Sequence, residues 1–157
     1  MKDVNCAYCM QGDLVAKFAY PICKMDTGFL YVFKEQSHPG RLILAHDKHI
    51  SEMIELTDEE RNAFFADVAK AARAIHKVYH PKKVNYGAYG DTGCHLHMHL
   101  VPKYEGEFDL TMPSVKRLRR RSVRLCKTVT IWKSNCSGRG IFLSGKAEQE
   151  ASEIPPM

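Results

Sequence analysis

No apolar run in the chain approaches the ~20 residues needed to span a bilayer. The opening stretch, MKDVNCAYC, carries no apolar leader-like region. Together these absences argue against a membrane span and make the cytoplasm the expected location. With no secretory route, the six cysteines (Cys6, Cys9, Cys23, Cys94, Cys126 and Cys136) are expected as thiols or metal ligands rather than disulfides. Net charge is lacking over most of the length: residues 1–105 hold 13 Lys+Arg against 13 Asp+Glu. The formal +5 comes from residues 106–157, which hold 10 against 5. The body therefore offers no basic surface for nucleic acid. A chain of 157 residues suits one domain. We place that domain at 1–107. Residues 108–157 form a basic tail, polar and poorly periodic, that is expected to be partly disordered.

What is present begins with local structure. Thr57-Asp-Glu-Glu60 is a capping box: the threonine hydroxyl can accept from the N–H of Glu60, and the glutamate can reach back. Beyond it Phe64, Val68, Ala71, Ala72, Ile75 and Tyr79 recur at helical spacing, predicting a helix over 57–79 that Pro81 stops. A shorter helical piece is expected near Ile50 to Leu56. FLYVF (Phe29 to Phe33) and RLILA (Arg41 to Ala45), with SHPG between them, read as strands of a meander. Residues 13–23 are expected to add a strand up to Pro21. NYGAYG (Asn85 to Gly90) and CHLHMHLV (Cys94 to Val101) read as two more, joined by a turn at DTG. The fold class is thus α+β: an antiparallel meander sheet with one long and one short helix.

The segment Gly90 to Pro102, GDTGCHLHMHLVP, carries the chemistry. A strand sends successive side chains to opposite faces. His95, His97 and His99 then share one face, while Cys94, Leu96, Met98 and Leu100 pack toward the long helix. Imidazole titrates near neutrality, so three readings stand side by side. His97 attacks phosphorus and forms a covalent intermediate; or the row binds a catalytic metal; or the histidines are polar residues on a half-exposed sheet. Gly90, Asp91, Thr92 and Gly93, just before, can present backbone N–H groups to phosphate oxygens, with Thr92 adding a hydroxyl, or can simply form a hairpin turn. Cys6 and Cys9 form a CxxC pair, half of a metal site.

The run Asn85-Tyr-Gly, then Gly90-Asp-Thr-Gly93, then His95-Leu-His97-Met-His99-Leu-Val resembles the signature of the histidine-triad (HIT) family of nucleotide hydrolases and transferases. The likeness extends over residues 4–105 and takes in the CxxC pair, the strand pair, Lys48-His-Ile50 and the capped helix. It implies a single α+β domain, usually a homodimer. It also implies hydrolysis or transfer at the α-phosphorus of a purine nucleotide conjugate of AMP or GMP type, either a phosphoramidate or a dinucleoside polyphosphate. By that resemblance His97 is the nucleophile, His99 contacts the phosphate and assists the leaving group, and His95 is the first triad histidine. Asn85, Gly90, Thr92 and Gly93 line the phosphate and ribose site, and Glu35 is the nearest candidate for the acid that binds ribose. Arg41 stands where many members carry a further histidine; it can neutralise phosphate but cannot act as a base.

Relatives within the family hold structural zinc with residues matching Cys6, Cys9, His49 and His95, so the resemblance implies Zn2+ here and no metal in the chemistry. A different class of reading is a zinc-ordered binding module that holds nucleic acid or an acidic partner through KRLRRR, Lys116 to Arg121.

Overall fold

The computed structural model describes residues 2–90 and 93–106. Thr92 and the tail, with Cys126, Cys136 and the KRLRRR run, lie outside the described residues. Two short helices come first, α1 (Ala7–Met10) and α2 (Gly12–Ala16). Strands β1 (Ala19–Lys24), β2 (Gly28–Phe33) and β3 (Leu42–His46) follow. A 3-10 turn (Met53–Glu55) leads into α3 (Asp58–Tyr79), and β4 (Lys83–Gly87) and β5 (His97–Lys103) are the last elements among the described residues. The five strands form one sheet in the order β1-β2-β3-β5-β4, every neighbour antiparallel.

The capping box forms as read. Glu60 N–H donates to Thr57 Oγ1 at 3.3 Å, and Thr57 N–H donates to Glu60 Oε2 at 3.2 Å. Three acids in the first turn complement the helix dipole. At the other end His80 adopts a left-handed conformation (φ 50°, ψ 44°), and Pro81 follows. The buried stripe of α3, including Phe64, Val68, Ala71, Ala72 and Ile75, packs on Leu30, Val32, Leu42, Leu44, Met98 and Leu100 of the sheet and on Leu96 just before it. Each Phe, Val, Ile, Leu or Met side chain among these contributes about 1.5–3 kcal/mol on burial. Asp67, fully buried on the same stripe, accepts from the Thr27 N–H at 2.8 Å and the Thr27 hydroxyl at 2.9 Å, tying the helix to the β1–β2 turn.

The opposite face of the sheet has its own smaller cluster: Val15, Ala19, Tyr31, Ile43 and Ala45, with Tyr8, Phe18, Phe29 and Phe33 packed against it. Here α1 and α2 lie over the sheet, so residues 13–16 are helical rather than the start of a strand. β1 instead runs from Ala19 through Pro21 to Lys24 with a register shift between Pro21 and Cys23. Proline is tolerated because β1 is an edge strand. Cys94 is a second correction. It is exposed, because the strand begins only at His97 and the expected alternation does not reach back to it.

Gly28 is required where it stands. A Cβ there would sit 2.1 Å from the Ala45 carbonyl oxygen, across the β2–β3 pair. No helix among the described residues is long and apolar enough to cross a membrane.

Candidate active site

β5 lies between β3 and β4, with His97 opposite Ala45 and His99 opposite both Ile43 and Gly87. Cross-strand partners share a face, so these two histidines stand on the side of Ile43 and Ala45, away from α3. Met98 and Leu100 belong to the α3 side. His95 precedes the strand, in a segment held by Leu96: its N–H donates to the Ile50 carbonyl at 2.7 Å and its carbonyl accepts from His46 N–H at 2.9 Å. The rings form a continuous row with Tyr8, whose centroid lies 5.2 Å from His95 and 5.1 Å from His97; His97 and His99 are 5.1 Å apart.

The proton positions follow from the partners, since a carbonyl can only accept. His97 Nδ1 lies 2.7 Å from the His95 carbonyl oxygen, so Nδ1 carries the hydrogen and Nε2 keeps a bare lone pair. His95 Nε2 lies 2.7 Å from the His46 carbonyl oxygen, so its Nδ1 is the bare atom. Burial pulls His97 below the ordinary imidazole range, and the bond to the His95 carbonyl offsets only part of that. Burial, with the charges of Arg41 and His97 behind it, brings His99 down to about 3. All of this favours neutral imidazole near neutral pH, the form in which nitrogen can attack.

The bare Nδ1 of His95 points into a cluster with Cys6, Cys9 and His49, whose ligand atoms all lie within 4.8 Å of one another. His95 Nδ1 is 3.3 Å from Cys6 Sγ, 3.6 Å from Cys9 Sγ and 3.3 Å from His49 Nδ1; Cys9 Sγ is 3.2 Å from His49 Nδ1. Zinc bound at about 2.0–2.1 Å to nitrogen and about 2.3 Å to sulfur makes tetrahedral edges of about 3.4 Å between nitrogens and about 3.6 Å between nitrogen and sulfur. The donor set and its spacing therefore fit a four-coordinate metal. The bond from His95 Nε2 to the His46 carbonyl is the outer support such a ligand uses. His49 Nε2 faces the Asp3 carboxylate at 3.8 Å.

At the other end of the row, Arg41 Nη1 donates to Glu35 Oε2 at 2.7 Å, and Arg41 Nη2 lies 3.4 Å from His99 Nδ1. The guanidinium carbon stands 4.4 Å from the centroid of the Phe33 ring. Burial pushes the Glu35 carboxyl up, but the bonds from Ser37 together with Arg41 hold it below the usual range. Glu35 is thus an ionised partner of Arg41 beside the row. Asn85 sits opposite Val101, on the histidine face of β4. Gly90 and Gly93 flank the undescribed pair in open space, where an added Cβ would meet nothing within 4 Å.

Three residues belong to this arrangement that sequence reasoning missed. Tyr8 stacks on two of the histidines, and its signal was its place inside the CxxC pair. Phe33 meets His99 edge-on at 5.8 Å. Gln36, buried in the turn, donates to the Phe33 and Arg41 carbonyls at 2.6 and 2.9 Å and accepts from Gly40 N–H at 2.8 Å. No periodicity marks it.

Comparison with known proteins agrees with this geometry. The HIT domain model matches residues 25–106, more than half of the chain. The AP-4-A phosphorylase of Mycobacterium tuberculosis is 36% identical over 76 residues, covering 45% of this chain and 39% of that protein. The bis(5'-nucleosyl)-tetraphosphatase (asymmetrical) of Schizosaccharomyces pombe is 27% identical over 123 residues, covering 75% of this chain and 60% of that protein. The chain thus spans less than two thirds of either relative. A zinc-bound histidine triad family protein of Mycobacterium smegmatis superposes with a TM-score of 0.61 at 18% identity, over 82% of this chain and 91% of that one. The alternating histidines, the antiparallel sheet that presents them and the domain match across residues 25–106 lead to one conclusion: this chain belongs to the HIT family.

Proposed function

We propose that the protein hydrolyses nucleoside monophosphate conjugates, dinucleoside polyphosphates or phosphoramidates, at the α-phosphorus. The observation that carries this reading is the 2.7 Å contact from His97 Nδ1 to the His95 carbonyl, which leaves Nε2 bare on the face of the sheet away from α3. In the first step Nε2 attacks phosphorus. The P–N bond forms as the bond to the leaving group breaks, and that group departs with the electron pair. In the second step water attacks the same phosphorus, the P–N bond breaks and Nε2 regains its lone pair. Of the water, hydroxyl ends on the nucleotide and one proton neutralises the leaving group.

His99, Asn85, Gly90, Thr92 and Gly93 surround the phosphate in this reading, with Glu35 toward the ribose and Arg41 adding positive charge from behind His99. Donors aimed at developing charge lower the barrier more than covalent machinery does in such reactions. The names of the two curated relatives support nucleotide substrates. Cys6, Cys9, His49 and His95 would hold structural zinc. Four protein ligands would leave no open coordination position, so a metal held there would order α1 and the 95 segment and take no part in the imidazole chemistry beside it. Purine bases and a homodimer complete the proposal; sedimentation of the purified protein tests the latter.

The experiment is a substrate panel, nucleoside phosphoramidates against dinucleoside polyphosphates, run with wild type and His97→Ala. We expect turnover with at least one class, an acid-labile nucleotidyl label on wild-type protein, and loss of both in the variant. Near-normal turnover by His97→Ala overturns the mechanism.

A further inference from the structure

Arg41 is fixed on several sides, which is more than a screening charge requires. One arm donates to Glu35 Oε2 at 2.7 Å, while Glu35 Oε1 accepts from the Ser37 N–H at 2.8 Å. The guanidinium carbon stands 4.4 Å from the centroid of the Phe33 ring. The Arg41 carbonyl accepts from Gln36 Nε2 at 2.9 Å and from the Phe33 N–H at 3.3 Å. Behind it Gly40 takes φ 87°, and any Cβ there would strike the Tyr79 ring at 2.7 Å. The free arm of this braced fork ends 3.4 Å from His99 Nδ1.

A guanidinium has donors and no acceptor. The atom it meets must therefore be the bare nitrogen of His99. A neutral imidazole carries one hydrogen, which then sits on Nε2. His97 is held the opposite way by the His95 carbonyl, hydrogen on Nδ1 and Nε2 bare. We infer that Arg41 is a positioning residue that locks His99 in its Nε2–H tautomer, so that a bare-nitrogen nucleophile and a fixed N–H donor stand side by side on one strand face. This rests on the proposed transfer reading only for what the two nitrogens face. A rotated or Nδ1-protonated His99 would turn a lone pair toward the phosphoryl oxygens and repel them. Lysine cannot substitute, because its single ammonium cannot hold the carboxylate and the imidazole with two arms of a rigid fork.

The test uses the full chain, labelled with 15N in histidine, and reads long-range 1H–15N correlations, which distinguish the two neutral tautomers without any substrate. In wild type we expect His99 as Nε2–H and His97 as Nδ1–H. In Arg41→Met the His99 pattern shifts toward Nδ1–H or an average of both, with His97 unchanged. Arg41→Lys preserves charge and bulk and guards against a misfolded variant; it too loses the single tautomer. With whichever substrate class turns over, kcat falls by about 10-fold or more in both variants, with KM changing less. A His99 tautomer that is Nδ1–H in wild type, or that both variants leave untouched, overturns the inference. So does a loss confined to KM, which would make Arg41 a simple phosphate ligand. Failure of the transfer reading shows separately, as turnover retained by His97→Ala.

Discussion

Removing the metal from the Cys6, Cys9, His49 and His95 cluster should loosen the whole histidine side of the sheet. The spacing already observed between donor atoms, 3.3 Å between the two imidazole nitrogens and 3.2–3.6 Å for the measured sulfur–nitrogen pairs, lies close to a zinc tetrahedron. Little binding energy is then spent on rearrangement. A ligand at about 1,000 times its dissociation constant stabilises the folded state by about 4 kcal/mol. In a domain of this size each 1 kcal/mol moves Tm by roughly 4–8 °C. Dialysis against a strong chelator should thus lower Tm by well over ~10 °C, and restoring one equivalent of zinc should recover it. Cys9→Ser should reproduce the loss. Cys94→Ser, which changes an exposed thiol outside the cluster, should not. Circular dichroism melts paired with elemental analysis read both quantities. Protein that holds no stoichiometric metal, and melts at one temperature with and without chelator, would refute the reasoning.

Two further outcomes follow from the same structure. His99 is held near 3 in the folded protein against an ordinary 6.5, so as pH falls the unfolded chain takes the proton first. Stability is therefore full above about 6.5 and declines progressively toward 3, by up to about 1.4 kcal/mol per pH unit from this imidazole; urea midpoints between pH 7 and 4 should fall, and His99→Gln should flatten that slope. Gly28→Ala should cost about 1–3 kcal/mol by forcing apart β2 and β3, whereas Gly90→Ala, whose Cβ enters open space, should stay within about 0.5 kcal/mol; denaturant titration of the two separates them.

Much of this was legible in the residues. The capping box at Thr57 and the apolar spacing after it gave α3 nearly to the residue, because cap chemistry is local. The alternation in HLHMHL gave the division between Met98 and Leu100 on one side and His97 and His99 on the other. The four residues of the Cys/His cluster, scattered from Cys6 to His95, were named through the family resemblance, and the fold brings them together. What escaped was non-local. Helices as short as α1 and α2 do not stand on propensity and form only against the sheet, so residues 13–16 read as strand. The Arg41–Glu35 pair depends on a turn braced by Gln36, a residue without pattern. Cys94 was assigned to the core by extending an alternation past the point where the strand begins.

The 22-residue helix covers only one side of the sheet, and this has a consequence for how the protein can change. Along β5, even-numbered positions 98 and 100 pack beneath α3, while odd-numbered 97 and 99 stand on the opposite face. Substitutions can accumulate on the residues that surround the two histidines, changing what that face receives, without disturbing the packing beneath. A change of length is another matter. One residue inserted or deleted just ahead of His97 would exchange the two populations, driving imidazoles into the apolar layer beneath α3 and leucines into the row beside Tyr8 and Phe33. Descendants of this segment should therefore vary in letters and keep their count.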